Sequence, residues 1–291
     1  MGFSIKELES LSGIKAHTIR IWEQRYKFLK PSRTLTNIRT YTNEELKTLL
    51  TVALLNKHGY KISRIDNMRP EQRRQEVLQL NTTEARSEQV VNDLIGTMVD
   101  LDFIHFEALL AQHIQQHGLF AAISGVVFQF LEKVGILWQT NRIQPAQEHV
   151  ASCIVRQKLI SAIDQLPAPV KRTPFFLLFL PENEHHELGL LFVYYLLKKR
   201  GLPVLYLGAN VPLKDVSYVV EQKKPAHLYL HLSSFPVKQN FIKYLHTLSE
   251  RVAPTHILVS GAMIEETRKA LPLQVQPLQS LAAVITYIHS V

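Results

Sequence analysis

The chain has 291 residues, 33 Lys+Arg against 25 Asp+Glu and a single cysteine, Cys153. Its 46% hydrophobic and 20% charged composition excludes wholesale disorder, and its apolar runs, Phe175–Leu180 and Leu188–Leu197, are shorter than the roughly 18–20 residues of a spanning helix. Residues 1–80 hold 15 basic and 8 acidic side chains, a net +7, while residues 81–291 hold 18 and 17, so the sequence reads as a polyanion-binding head on a near-neutral body.

The head spans residues 1–80. Ser4 and Glu7 form a capping-box pattern, and Ser12-Gly13 breaks the helix that follows. A second short helix, about Ala16–Tyr26, takes Ile21 and Trp22 as apolar anchors. Two short helices across a Gly-containing turn make a helix-turn-helix. Pro31 to Tyr41 reads as a small two-stranded wing. Thr42-x-x-Glu45 opens a longer helix that ends at His58-Gly59, and a short helix starts near Ser63. His17, Thr18, Arg20, Arg33, Thr36, Asn37 and Arg39 are the candidates for contact with base edges and phosphates. As a charge cluster alone they could equally be a solvated basic face.

Residues 81–168 show apolar side chains at helical spacing in four stretches, about Glu88–Val99, Phe103–Gln116, Leu119–Leu137 and Ala146–Leu166. Gly118 and Thr140–Pro145 are breaks, and a four-helix bundle is the simplest reading. His113 and His117, four apart, could clip a metal but read as a surface pair.

From residue 169 to 291 the period changes. Strands are expected at Phe175–Leu180, Val204–Leu207, Ala226–Leu232 and Ile257–Ser260, with a weak one at Leu273–Val275. Helices are expected at His186–Arg200, Leu213–Gln222, Val237–Arg251 and Ser280–His289, with a short one from Ile264. The alternation predicts an open, flavodoxin-like (Rossmann-like) parallel sheet with helices on both faces, so the fold class is multidomain α and α/β. Ligands in such sheets bind beyond the carboxyl ends of the strands. His186 falls in the first such loop, with Glu184 placed to hold its other ring nitrogen and Gly189 one turn on, where a bulky group could approach the backbone. The same residues could form a solvated helix N-terminus. The zinc-hydrolase pattern H-E-x-x-H is absent, because position 190 is Leu. A heme or zinc site at His185 and His186 remains an alternative at this point.

Two resemblances narrow the alternatives. GIKAHTIRIWEQRY, the wing and the Tyr41-Thr42-Asn43 helix start resemble the N-terminal domain of MerR-family transcription regulators over about residues 3–70. The resemblance implies a winged-helix dimer on double-stranded operator DNA and adds Tyr41 to the DNA-binding set. The family's long coiled coil is not seen, so pairing falls to the body, as a dimer or tetramer.

Glu184-x-His186-x-x-Gly189 resembles the D/E-x-H-x-x-G signature of cobalamin-binding domains, where the His ligates cobalt from below. Gly208, Ser233, Ser234, Ser260 and Gly261 follow strands two to four, where that fold lines the channel for the nucleotide tail with small residues. Trp138 followed after nine residues by Glu148-His149 resembles the W-x9-E-H signature of cobalamin-dependent light-responsive repressors, where the Trp covers the upper face of the corrin. The resemblance implies a cytoplasmic, non-enzymatic repressor that uses adenosylcobalamin in an oligomerisation switch, with no membrane partner. Two positions depart from the pattern: Ser260-Gly261-Ala262 replaces the usual Gly-Gly, and Gln139 stands where light-sensing relatives can carry His. The alternatives are the same architecture without cobalamin or light dependence, and a cobalamin-dependent methyl-transfer module.

Overall fold

Both capping boxes close in the computed structural model, which describes residues 2–140, 142–170, 173–233, 238–264 and 271–291. Ser4 Oγ accepts from the Glu7 amide and opens α1 (Ile5–Ser12), which Gly13 ends at φ 72°. Thr42 and Glu45 do the same for α3 (Asn43–Lys57), and Gly59 follows it at φ 91°. Between them lie α2 (Ala16–Arg25) and a wing of β1 (Ser32–Arg33) and β2 (Arg39–Thr40), paired antiparallel with Ser32 opposite Thr40. The buried anchors of α2 are Ile19 and Trp22, whereas Ile21 is exposed. A helix turns 100° per residue, so Ile19 and Trp22, three apart, share the inward face and Ile21 does not. The short helices α4 (Ile62–Asp66) and α5 (Pro70–Leu78) complete the head.

The chain forms two compact units, Met1–Ile154 and Val155–Val291. The first holds the head together with α6 (Thr83–Val99), α7 (Phe103–Ala122), α8 (Phe128–Gln139) and the start of α9 (Pro145–Asp164). Thr82 caps α6, which therefore starts before the Glu88 that periodicity alone indicates. Gly118 adopts φ 80° and ψ 159°, a kink inside α7, and a π-helical turn, Ile123–Val127, joins α7 to α8. By length and composition, Phe103–Trp138 is apolar enough to cross a membrane. In this fold it is the core of the bundle: Phe106, Leu110, Ile123, Val127, Phe130 and Leu137 are buried. His113 is also buried, its ring 4.6 Å from that of His117, because it lies one turn after Leu110 on the inward face of α7. The expected surface pair is thus half core.

Head and bundle are fastened by charge across α3 and α6. Lys57 Nζ lies 2.9 Å from Glu84 and 2.8 Å from Glu88, and Lys47 Nζ lies 2.5 Å from Asp100. Arg142, in the loop after α8, donates to the buried Glu7 of α1 at 2.7 Å.

The second unit carries five parallel strands, β3 (Phe176–Pro181), β4 (Val204–Val211), β5 (His227–His231), β6 (His256–Ser260) and β7 (Val275–Leu278), in the order β4-β3-β5-β6-β7. This is the doubly wound order with its switch point at β3. Helices α11 (Leu213–Lys223) and α12 (Lys238–Val252) pack on one face, where Leu177, Phe179, Leu228, Leu230, Ile257 and Val259 meet Val216, Phe241 and Leu245. Helices α10 (Leu188–Lys199) and α13 (Leu281–Ser290) serve the other face. β4 runs on to Val211 because the register slips at Gly208, a bulge residue at φ 88°. Ser280 caps α13 as a side-chain acceptor; a 3-10 turn spans Ala262–Ile264, and the helix expected from Ile264 onward lies outside the described residues.

Candidate functional site

The head presents its basic side chains on α2 and the wing. His17 and Arg20 are exposed on α2, and Thr18, half-buried, lies 3.3 Å from the His17 ring. Arg33 and Thr36 are exposed on the wing, where Arg33 Nη1 donates to Asn37 Oδ1 at 2.6 Å and Asn37 turns the hairpin at φ 63°. Arg39 is held by Glu23 of α2 at 2.7 Å, which raises its pKa further. Tyr41 leaves the expected contact set. Its ring is fully buried and its hydroxyl bonds to the same Glu23, so its task is to lock wing to helix. Burial, reinforced by Glu23, raises the Tyr41 pKa, and the phenol stays protonated. Leu35, at the wing tip and fully exposed, is a contact candidate that sequence reasoning missed, because a leucine between threonines carries no charge signal.

At the carboxyl end of β3 the chain turns through Pro181–Glu187 into α10. Glu184, 1% exposed, accepts from the His186 backbone amide at 2.8 Å and lies 2.6 Å from His186 Nδ1. His186 Nδ1 is thereby engaged by a buried carboxylate, on a side chain that is itself 65% exposed. Asn210 fixes this loop from the neighbouring strand: its side chain accepts from the Asn183 amide at 2.9 Å and its amide donates to the Glu184 carbonyl at 3.1 Å. Glu187 is engaged by Arg156 and by the Tyr206 hydroxyl, at 2.8 Å for the latter. Neither Asn210 nor Tyr206 was legible beforehand, because both act from β4 across the register slip.

The strand ends differ in part from expectation. A Cβ on Gly261, at φ 105°, would fall 2.2 Å from the Leu232 carbonyl oxygen, so only glycine permits that approach. A Cβ on Gly208 would meet the Tyr206 ring at 3.7 Å, an ordinary contact, and Ser233 is exposed. Ser234 lies outside the described residues. Ser260 is buried and its Oγ is taken up by Tyr229 Oη at 2.6 Å and His231 Nδ1 at 2.9 Å, so it faces an internal network rather than an open channel. The space over Gly189, expected for a bulky ligand group, is occupied by the His231 ring: a Cβ there would fall 2.3 Å from it. Burial pushes the His231 pKa down to about 4, so this imidazole is neutral.

In the first unit, Trp138 ends α8 with 57% of its surface exposed, which rules out a core role. Glu148 and His149 stand in the first turn of α9, 3.4 Å apart, and Glu148 also accepts from Ser152 at 2.5 Å. The side chain of Gln139 lies outside the described residues. In the second unit, the carboxylate-held imidazole of His186 at the switch point is a donor of the type that a corrinoid's cobalt takes; in the first unit, Trp138 is an exposed indole at a bundle end.

Comparison with known proteins agrees with both halves. Residues 3–72 match the model described as MerR HTH family regulatory protein. Residues 90–161 match the B12 binding domain. The HTH-type transcriptional repressor CarA of Myxococcus xanthus is 29% identical over 93% of this chain and 90% of its own length. The HTH-type transcriptional repressor CarH of the same organism is 28% identical over 77% of this chain and 76% of its own. Among solved structures, the monomethylamine corrinoid protein of Methanosarcina barkeri aligns with a TM-score of 0.57 at 13% identity, over 70% of this chain and all of its own, a likeness of fold. The chain therefore joins a MerR-type helix-turn-helix domain to a B12-binding domain, is homologous to these two repressors, and is a DNA-binding transcriptional regulator that binds cobalamin.

Proposed function

We propose that the regulator is a cytoplasmic, non-enzymatic repressor, that its cofactor is adenosylcobalamin, and that cofactor and light set its oligomeric state. The carrying observation is the Glu184–His186 pair, with Nδ1 2.6 Å from a buried carboxylate and the imidazole 65% exposed at the strand-order switch. When bound, adenosylcobalamin supplies a cobalt–carbon bond that light can break. His186 would ligate the cobalt, with Glu184 orienting its ring and raising its basicity. Trp138, Glu148 and His149 would contact the cofactor from the helical unit, and Gly189, Gly208, Ser233, Ser234 and Gly261 would border its nucleotide tail, with Ser260 held in the internal network behind them. Seating a group beside Gly189 requires the His231 ring to swing away, which its neutral state permits without stranding a charge.

Operator contact belongs to His17, Thr18, Arg20, Arg33, Thr36, Asn37 and Arg39. If the cofactor binds the oligomer better than the protomer, it shifts assembly by the ratio of the two affinities. Two heads in one assembly then meet two half-sites at an effective concentration on the order of millimolar, so losing the oligomer releases DNA without touching Arg33. Size exclusion with adenosylcobalamin, in the dark and after green light, tests this reading. A dark dimer or tetramer that falls to smaller species on illumination is expected, and an elution volume indifferent to light overturns the switch. One observation favours a second reading, the same architecture without cofactor or light dependence: the His231 ring already fills the space over Gly189. Failure to retain a corrin spectrum after desalting would select it.

A further inference from the structure

Strand β5 reads His227-Leu228-Tyr229-Leu230-His231, an alternation unusual for an interior parallel strand, which is normally apolar on both faces. Its leucines face α11 and α12. The period of two puts His227, Tyr229 and His231 on the face served by α10 and α13. His231 ends that row at the carboxyl edge, beside the site described above. His227 ends it at the amino edge, where its in-register neighbour on β6 is His256 and where α13 brings Tyr287.

Three donor atoms meet there. His256 Nδ1 lies 3.4 Å from His227 Nδ1, and Tyr287 Oη lies 3.3 Å from the same nitrogen. Both separations are long for hydrogen bonds, which centre near ~2.9 Å. One ring nitrogen, with either a proton or a lone pair, cannot serve both neighbours well. The spacing suits a shared cation instead, since donors about 2.0–2.1 Å from a tetrahedral ion stand about 3.3–3.4 Å from one another. The His227 ring stacks on Phe176 at 4.7 Å between centroids, and its plane lies at 70° to that of His256 and 88° to that of Tyr287.

We infer that His227, His256 and Tyr287 form a binding site for a divalent transition-metal ion of the zinc type, at the edge of the sheet opposite the cobalamin loop. Two imidazoles select zinc, copper or nickel over magnesium and calcium, which take all-oxygen sets. A water fills the fourth position. The ion ties the C-terminal helix to the two strands beneath it. No group of three or more His, Cys, Asp or Glu converges among the described residues, and here the phenol is the third donor.

The test is titration of zinc chloride into EDTA-stripped full-length protein against a chromophoric chelator. Wild type, His256→Gln, Tyr287→Phe and a His113→Gln/His117→Gln control are compared. Wild type and the control should each bind one equivalent more than His256→Gln. Tyr287→Phe, which removes only the oxygen, should weaken that equivalent about 10–100-fold. Equal stoichiometry and affinity in wild type and both site variants overturn the inference, as does loss of the equivalent in the control alone. If circular dichroism shows His256→Gln unfolded, Tyr287→Phe decides by itself.

Discussion

In the head, His17, Arg20 and Arg33 stand exposed on one helix and a hairpin, within a segment of net charge +7. In the sheet domain the candidate site is one imidazole, and the carboxylate that holds it is 1% exposed. The head works through many solvated charges, each worth little, that add up along a polyanion. Under the proposed reading, the sheet domain works through a single oriented donor whose strength depends on groups kept from water. Even the one tightly built feature of the head, Glu23 holding Arg39 and Tyr41, sets the angle between helix and wing rather than creating charge.

Salt should separate the two regions most widely. Operator affinity should fall about 10³-fold or more between ~50 and ~200 mM salt, because phosphate contacts release counterions. Cobalamin affinity should be nearly unchanged over the same range, and a steep salt dependence there would erase the distinction. Glu184→Gln comes next, since it keeps the shape and removes the anionic acceptor. Cobalamin affinity should drop about 10–100-fold with operator binding by cofactor-free protein unaltered, as read by spectral titration and gel shift.

Gly189→Ala probes packing in the sheet domain. A methyl 2.3 Å from the His231 ring should cost about 1–3 kcal/mol in denaturant unfolding, and His231→Ala in the same chain should recover most of it. The smallest effect concerns Asp93 of α6, which opens onto a cavity of about 390 Å³ between α3, α5, α6 and α7. Desolvation pushes its carboxyl up to about 6, against the lowering effect of His105, Arg74 and Gln89. A raised carboxyl pKa favours the folded state below the unfolded value near ~4 and loses that contribution as pH rises through about 6. Its surface is open to the cavity, so screening limits the effect to about 1 kcal/mol. Asp93→Asn should flatten the slope of unfolding free energy between pH ~4 and ~7 by that amount.

The sequence was most informative where local chemistry decides the structure. The boxes Ser4–Glu7 and Thr42–Glu45, the Gly118 break and the five strands all depend on near neighbours and on hydrophobic period, which a single sequence displays. It was least informative where side chains distant in sequence compete for one space. The resemblance placed Tyr41 in the contact set, yet the Phe3–Tyr41 bridge and Glu23 draw it inside. Gly189 has the composition of a ligand cradle, yet His231 from another strand reaches it first. The HLYLH alternation was the available signal for that second case, since histidines on one face of a central strand must find polar partners.

The most direct test of the account is the absorption spectrum of adenosylcobalamin on wild type and His186→Ala after desalting in the dark. Wild type should carry a corrin spectrum with a protein imidazole ligating the cobalt. In the variant that spectrum should be lost or its cobalt ligation altered. An identical spectrum on both proteins, at equal occupancy, would contradict it.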